Sequence, residues 1–252
     1  MSTAPAADRP QGNAFWRAIF GNDAPVEIEI GSGDGTFLLT RAVAAPRGNL
    51  LGIERAPRKA ERLAARVARL GLANVRTLGA DATCVLAMVP AASLGAYHVY
   101  FPDPWPKRRH ARRRIFSPAF VRLVARTLVD GGELSVATDV GDYMATIDAV
   151  IRESGEFAAL PFGDDHPGLD TAFARKYRAE GRTLFLGRFA RLPRAASETD
   201  GADLGRGGVD ATGARLRRGT ADGGAGARTP LRSAPDEDQP GRDAAASKIR
   251  SS

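Results

Sequence analysis

Four acidic residues stand where apolar segments end, and this placement is the chain's main chemical signal. Glu29 lies near the end of "APVEIEI" and is followed by the glycine turn "GSGDGT"; Glu54 closes "GNLLGIE". Asp81 follows "NVRTLGA", and Asp103 sits in "FPDPWPK" behind "GAYHVYF". The glycines Gly31, Gly33 and Gly35 follow a GxGxG spacing, with Thr36 where a dinucleotide fingerprint would need its third glycine. Glycines at such a turn permit positive φ and let a ligand approach the backbone closely. A carboxylate just before the turn would oppose a pyrophosphate but suits a cationic ligand.

S-adenosyl-L-methionine carries an ammonium and a sulfonium, and it fits an acidic strand end better than a nucleoside diphosphate does. In that reading Glu54 is placed to accept from two ribose hydroxyls and Asp81 to accept from the adenine amino group. Asp103 belongs to a different device. Phe101, Asp103 and Trp105 each precede a proline, which pushes each away from the right-handed α region, and Pro102, Pro104 and Pro106 have φ locked. The spacing predicts a stiff, extended loop that holds one carboxylate still, as a positioned reactive group requires. Directly behind it run Lys107, Arg108, Arg109, Arg112, Arg113 and Arg114 without an acid, a patch suited to the phosphates of a polyanion.

The elements that must position these residues alternate strand and helix. Strands are expected at Ala24–Ile30, Gly48–Glu54, Asn74–Ala80, Gly95–Phe101 and Gly131–Asp139. Helices are expected at Thr36–Ala45, Ala56–Gly71, Ser117–Leu128 and Gly141–Gly155, with Ser117 and Pro118 as start signals and Gly71 as a stop. Two closing strands, Glu156–Phe162 and Thr183–Leu192, are expected to pair antiparallel. This is an α/β chain with a doubly wound, mostly parallel seven-stranded sheet, whose ligands bind beyond the carboxyl ends of the strands.

Composition bounds the rest. Nine of the 36 Lys and Arg residues and nine of the 29 Asp and Glu residues follow Arg194, so the net +7 belongs to Met1–Arg194. The stretch 195–252 is Gly-, Arg-, Asp- and Ala-rich and is expected to be a disordered low-complexity tail. The domain reading is an N-terminal segment 1–24, one domain 25–194 and that tail. No segment resembles a signal peptide or approaches the ~18 apolar residues of a membrane span, so a cytoplasmic setting without membrane contact is expected. The single cysteine, Cys84, excludes an internal disulfide and a cysteine-clustered metal site, and no metal is expected. In "ATCVLAM" it reads as a buried small hydrophobe.

The segments "EIGSGDG", "GIE", "GADA", "YFPDPWPKRRHARRR", "ATD" and "DTAFARKYRAEGR" occur in this order in bacterial tRNA (guanine-N7)-methyltransferases, and Pro25–Leu192 resembles that family. The glycine motif is common to many methyltransferases, whereas the FPDPW segment with its basic follower is much more specific. The resemblance implies a Rossmann-like class I methyltransferase fold and methylation of guanine 46 of the tRNA variable loop at N7, with S-adenosyl-L-methionine as donor. It implies that Glu29, Glu54, Asp81 and Asp103 are cofactor-contacting positions and that Asp103 is also catalytic. Lys107 and Asp139, and Thr171 and Phe173 of a late motif, are implied substrate positions; tRNA is the implied partner, and assembly is monomeric or homodimeric. One departure is visible: the family's motif reads Thr, any residue, aromatic, Glu, and Ala174 stands in place of the glutamate, with Glu180 as a nearby substitute. His166 reads as part of a solvated loop. Three other readings stay open: an adenosylmethionine enzyme acting on an amine or a protein, a non-catalytic RNA-binding module on this fold, and an NAD oxidoreductase, which the glycine spacing disfavours.

Overall fold

The computed structural model describes residues 10–163 and 165–194; the segment 1–9 and the tail 195–252 lie outside the described residues. Its centre is a seven-stranded sheet in the order β3-β2-β1-β4-β5-β7-β6. The strands are β1 (Val26–Ile30), β2 (Asn49–Glu54), β3 (Val75–Gly79), β4 (Leu94–Tyr100), β5 (Leu128–Thr138), β6 (Phe157–Leu160) and β7 (Phe185–Arg191). The first five run parallel, and β7 is antiparallel to both its neighbours. The order reverses at β1, with β2 and β3 on one side and β4 and β5 on the other, which is the switch point where open α/β sheets bind ligands.

The helices are α1 (Pro10–Phe20), α2 (Thr36–Ala44), α3 (Pro57–Leu70), α4 (Ala82–Met88), α5 (Pro118–Thr127), α6 (Gly141–Ser154) and α7 (Ala172–Ala179). The start signals act as expected: the Ser117 hydroxyl accepts from the Phe120 amide with Pro118 in the first turn, and Gly71 ends α3 with left-handed φ of 63°. The apolar core joins Ile28, Val99, Val136 and Tyr143 to Trp16 and Phe20 of α1. The Trp16 indole donates to the Ser93 hydroxyl at 3.1 Å, so the helix before residue 24 is docked onto the sheet domain. Among the described residues no helix is long and apolar enough to cross a membrane.

Two sequence expectations are overturned. Cys84 is exposed, because α4 turns Ala82, Val85 and Leu86 inward and leaves position 84 on its outer face. His166 is buried, at 1% exposure. Its Nδ1 accepts from the Gly168 amide at 3.0 Å and its Nε2 meets the Gly187 carbonyl at 3.1 Å, so both ring nitrogens bind the backbone of two segments. Burial lowers its pKa, in keeping with a neutral ring tying a loop to β7.

Candidate active site

The glycine turn after β1 is folded against the end of β2. The Gly31 and Ser32 amides donate to the Ile53 carbonyl at 2.8 and 3.2 Å. The Glu54 carboxylate then accepts from the Gly33 amide (2.9 Å) and, with its other oxygen, from the Ala56 amide (2.8 Å). Glu54 therefore fixes the turn and the start of α3 with the same group that was expected to hold ribose hydroxyls; each oxygen keeps a second lone pair for that role. The glycines divide into two kinds. Gly31, at φ 79°, would carry a Cβ into open space, so its missing side chain leaves a cradle at the sheet edge. Gly35, at φ 76°, would drive a Cβ into Leu63 Cδ1, so it is glycine in order to pack under α3.

Glu29 is 5% exposed and its Oε2 takes no hydrogen bond among the described residues. Burial first, then the nearby Asp34 charge, push its carboxyl well above the ordinary range. An unpartnered buried carboxylate oxygen, on a strand that leads into an open glycine turn, is what a cationic ligand would complete, so the residues present fit the sulfonium cofactor that the sequence implies.

Two residues earlier on the same face, Glu27 behaves in the opposite way. Burial alone would raise its pKa, but His98 Nε2 at 2.9 Å and a bidentate Arg41 at 2.7 and 2.9 Å bring it down to about 2. An ionised carboxylate only accepts, so Nε2 of His98 carries the proton toward it, and Nδ1 faces the Tyr100 hydroxyl at 2.8 Å. The sequence reading passed over this chain of buried polar groups. Its signal was present in "VEIEI", where two acids share one face of an otherwise apolar strand.

Asp81 follows β3 and caps α4, its Oδ1 accepting from both the amide and the hydroxyl of Thr83. The Thr83 hydroxyl is the main cause of its lowered pKa. Asp103 is exposed, three residues beyond the end of β4. Its loop is not the extended run that the prolines predict: Phe101 and Trp105 take φ of 50° and 42°. Left-handed positions at bulky residues cost on the order of 1–3 kcal/mol each and persist only where surroundings impose them. Here the Phe101 amide donates to the Ala137 carbonyl at 2.7 Å, while Arg114 donates to the carbonyls of Pro104 (2.7 Å) and Trp105 (3.5 Å).

This contact corrects the reading of the basic run as a uniform phosphate grip. Arg114 is turned inward, with its guanidinium 5.0 Å from the Tyr143 ring centre, and serves the loop. Arg113 stacks on Trp105 at 4.9 Å. Lys107, Arg109 and Arg112 remain exposed, and the Arg108 side chain lies outside the described residues.

At the end of β5, Asp139 pairs with Arg182 at 2.7 Å. The late motif gathers beside it. Thr171 is buried and caps α7, accepting from the Ala174 amide at 2.9 Å and donating to the Gly168 carbonyl at 3.1 Å, so its hydroxyl is committed to the fold. Phe173 is 48% exposed. With Phe101 and Tyr177 it forms an aromatic face with ring separations of 5.4 to 6.0 Å, over which Arg182 lies 4.4 Å from the Tyr177 ring. Phe101 and Tyr177 were missed from sequence because their contact joins segments over 70 positions apart, and Arg182 because its partner Asp139 lies 43 positions earlier. Ala174 is fully buried. Glu180 ends the same helix and pairs with Lys176 and Arg182 at 3.9 and 3.8 Å, so it does not stand in at position 174.

The ends of β3, β2, β1, β4 and β5 thus carry Asp81, Glu54, the glycine turn, the Asp103 loop and Asp139 along one edge of five adjacent parallel strands. Residues 23–184 match the family model described as "Putative methyltransferase". A tRNA (guanine-N(7)-)-methyltransferase of Nocardia farcinica is 46% identical over 57% of this chain and 52% of its own length. One of Nitrosococcus oceani is 38% identical over 69% and 75%. The chain spans about half the length of several curated relatives it matches. Among solved structures, the 16S rRNA methyltransferase KamB superposes with a TM-score of 0.53 at 18% identity, over 72% of this chain and 94% of that one, a likeness of fold.

Proposed function

Because the chain belongs to the bacterial tRNA (guanine-N7)-methyltransferase family, we propose that it methylates N7 of guanine 46 in the tRNA variable loop. S-adenosyl-L-methionine, bound at the glycine turn, supplies the electrophilic methyl group. The observation that carries this reading is the buried, unpartnered Glu29 oxygen on the strand that leads into a glycine turn with open space at Gly31. Glu29 holds the donor's ammonium, Glu54 its ribose hydroxyls, and Asp81 the adenine amino edge.

Guanine N7 carries a free lone pair at neutral pH, so no residue has to remove a proton. The chain's task is positioning and electrostatics. Asp103, on its braced loop, orients the base and stabilises the positive charge arriving on the purine. The Phe101–Phe173–Tyr177 face offers a stacking surface, and Lys107, Arg109 and Arg112 hold phosphates without reading sequence. The setting is cytoplasmic, where tRNA is modified.

Labelled donor should transfer its methyl to unmodified tRNA transcripts with a variable-loop guanine and not to transcripts lacking it. The product should be an alkali-labile guanine; label on an exocyclic amine or on protein would reject the assignment. A second reading, an RNA-binding module without turnover, draws on Ala174 in place of the motif's glutamate. Tight tRNA binding with no heat of donor binding in calorimetry would favour it.

A further inference from the structure

Helix α3 carries Arg55, at its threshold, and then Arg58, Lys59, Arg62, Arg66 and Arg69. At 100° per residue the five within the helix fall in one stripe about 100° wide, and Arg55 lies just before its cap. The opposite face buries Ala60 and Leu63, with Val67 packed alongside. The one acid of the helix, Glu61, falls outside the stripe. Five of the six are exposed. None is in an ion pair among the described residues. Arg66 is partly covered, because its guanidinium donates to the Asp34 carbonyl at 3.0 Å.

This arrangement works against the helix that bears it. Like charges three and four residues apart destabilise a helix by a few tenths of a kcal/mol per pair. Arg58 and Lys59 also sit in the first turn, where the macrodipole favours anions and where α3 has no acid. A face kept only for solubility would intersperse both signs. A single-sign stripe running about 16 Å along the helix from Arg58 to Arg69 is suited to a partner with regularly spaced negative charge.

The stripe begins at the site. Arg55 directly follows Glu54 and lies near enough to Asp81 to add to the larger effect of Thr83 on that carboxylate. In sheet order, α3 follows β2 and the basic run follows β4, so the two flank the turn after β1. Five of the six cations are arginine, whose fork matches phosphate oxygens two at a time. An anionic membrane is a poorer match, because the apolar face of α3 is already spent on the core.

We infer that the arginine stripe of α3 is a second RNA-binding surface, which takes the phosphate backbone of a tRNA arm outside the variable loop. The inference rests on the proposed tRNA substrate. The test is the full chain carrying Arg58→Glu, Arg62→Glu and Arg69→Glu, with Arg66 left in place to keep its bond to the loop. Circular dichroism and calorimetry with S-adenosyl-L-methionine report the fold. Affinity is measured across salt for whole tRNA and for a short oligonucleotide of the variable-loop sequence. Whole-tRNA affinity should fall about tenfold or more at low salt and its log–log salt slope should flatten by about 2 to 3, while the oligonucleotide is unaffected. Should the reversal misfold, Arg58→Gln, Arg62→Gln and Arg69→Gln should give the same signs at smaller size. An unchanged tRNA affinity and slope in a folded variant, with wild type binding and methylating tRNA, overturns the stripe alone. A wild-type protein that binds no tRNA overturns both the stripe and the proposed function.

Discussion

The Arg114 guanidinium reaches back ten residues to the carbonyl of Pro104, 2.7 Å from its Nε, and so ties down the chain at the residue that directly follows Asp103. Its charge lies against the Tyr143 ring, so the last residue of the most basic segment acts as a brace. Lysine lacks the second nitrogen of the fork that meets the Pro104 and Trp105 carbonyls separately. Arg114→Lys and Arg114→Ala should therefore lower turnover roughly 10- to 100-fold through misplacement of Asp103. They should leave the salt slope of tRNA binding nearly unchanged, whereas Lys107→Ala or Arg112→Ala should flatten it by about 0.7 to 1 each with little effect on turnover at saturation. Equal salt effects from Arg114 and Arg112 would show that the brace is not its role.

Asp103 itself is tested by separating binding from chemistry. Asp103→Ala should keep donor affinity within about tenfold and lose 100-fold or more in turnover. Parallel loss of both would make it a binding residue only.

Glu29 and Glu27 should give stability changes of opposite sign. The raised carboxyl of Glu29 means that the folded state holds a proton the unfolded chain releases above ~4.3, so its contribution falls as pH rises through the raised value. Glu29→Gln should raise the Tm of the donor-free protein, and more at pH 8 than at pH 5, by ~2–4 °C for each kcal/mol relieved. Glu27, held at about 2, stabilises the fold above its unfolded value, and that contribution is lost as pH falls through the folded one. Glu27→Gln should therefore lower Tm at neutral pH, with the loss shrinking in acid. Thermal melts across pH check both.

Glu29 also links donor binding to protons. The carboxyl must be ionised to hold an ammonium, so donor affinity should climb by up to about tenfold per pH unit below the raised pKa. In Glu29→Gln calorimetry should find weaker binding and a flat profile from about pH 5.5 to 7.5. A wild-type profile equally flat would remove Glu29 from the donor site.

Much of this was readable in the chain. The strand ends at Ile30 and Glu54 followed from apolar runs, and the fourth strand, expected to end at Phe101, stops one residue earlier at Tyr100; with them came the row of acids at one edge. What failed was direction. Composition marks Lys107–Arg114 as basic but cannot say that Arg114 turns inward, since that depends on where Tyr143 of a later helix stands. Helix α4 was missed because seven mostly apolar residues show no period, and the misjudged Cys84 followed from that. His166 looked like loop because its partner, the Gly187 carbonyl, is 21 positions away.

The strand made last in the sheet is not at its edge. β7 lies between β5 and β6 and, among the described residues, is the only strand that β6 pairs with. A growing chain released as far as α7 would therefore show the ribosome exit an open β5 flank and a β6 with nothing to zip onto, and Asp139 would still lack Arg182. The half built on β1 to β3 could close early, but the half built on β5 and β6 must wait until Phe185–Arg191 has emerged.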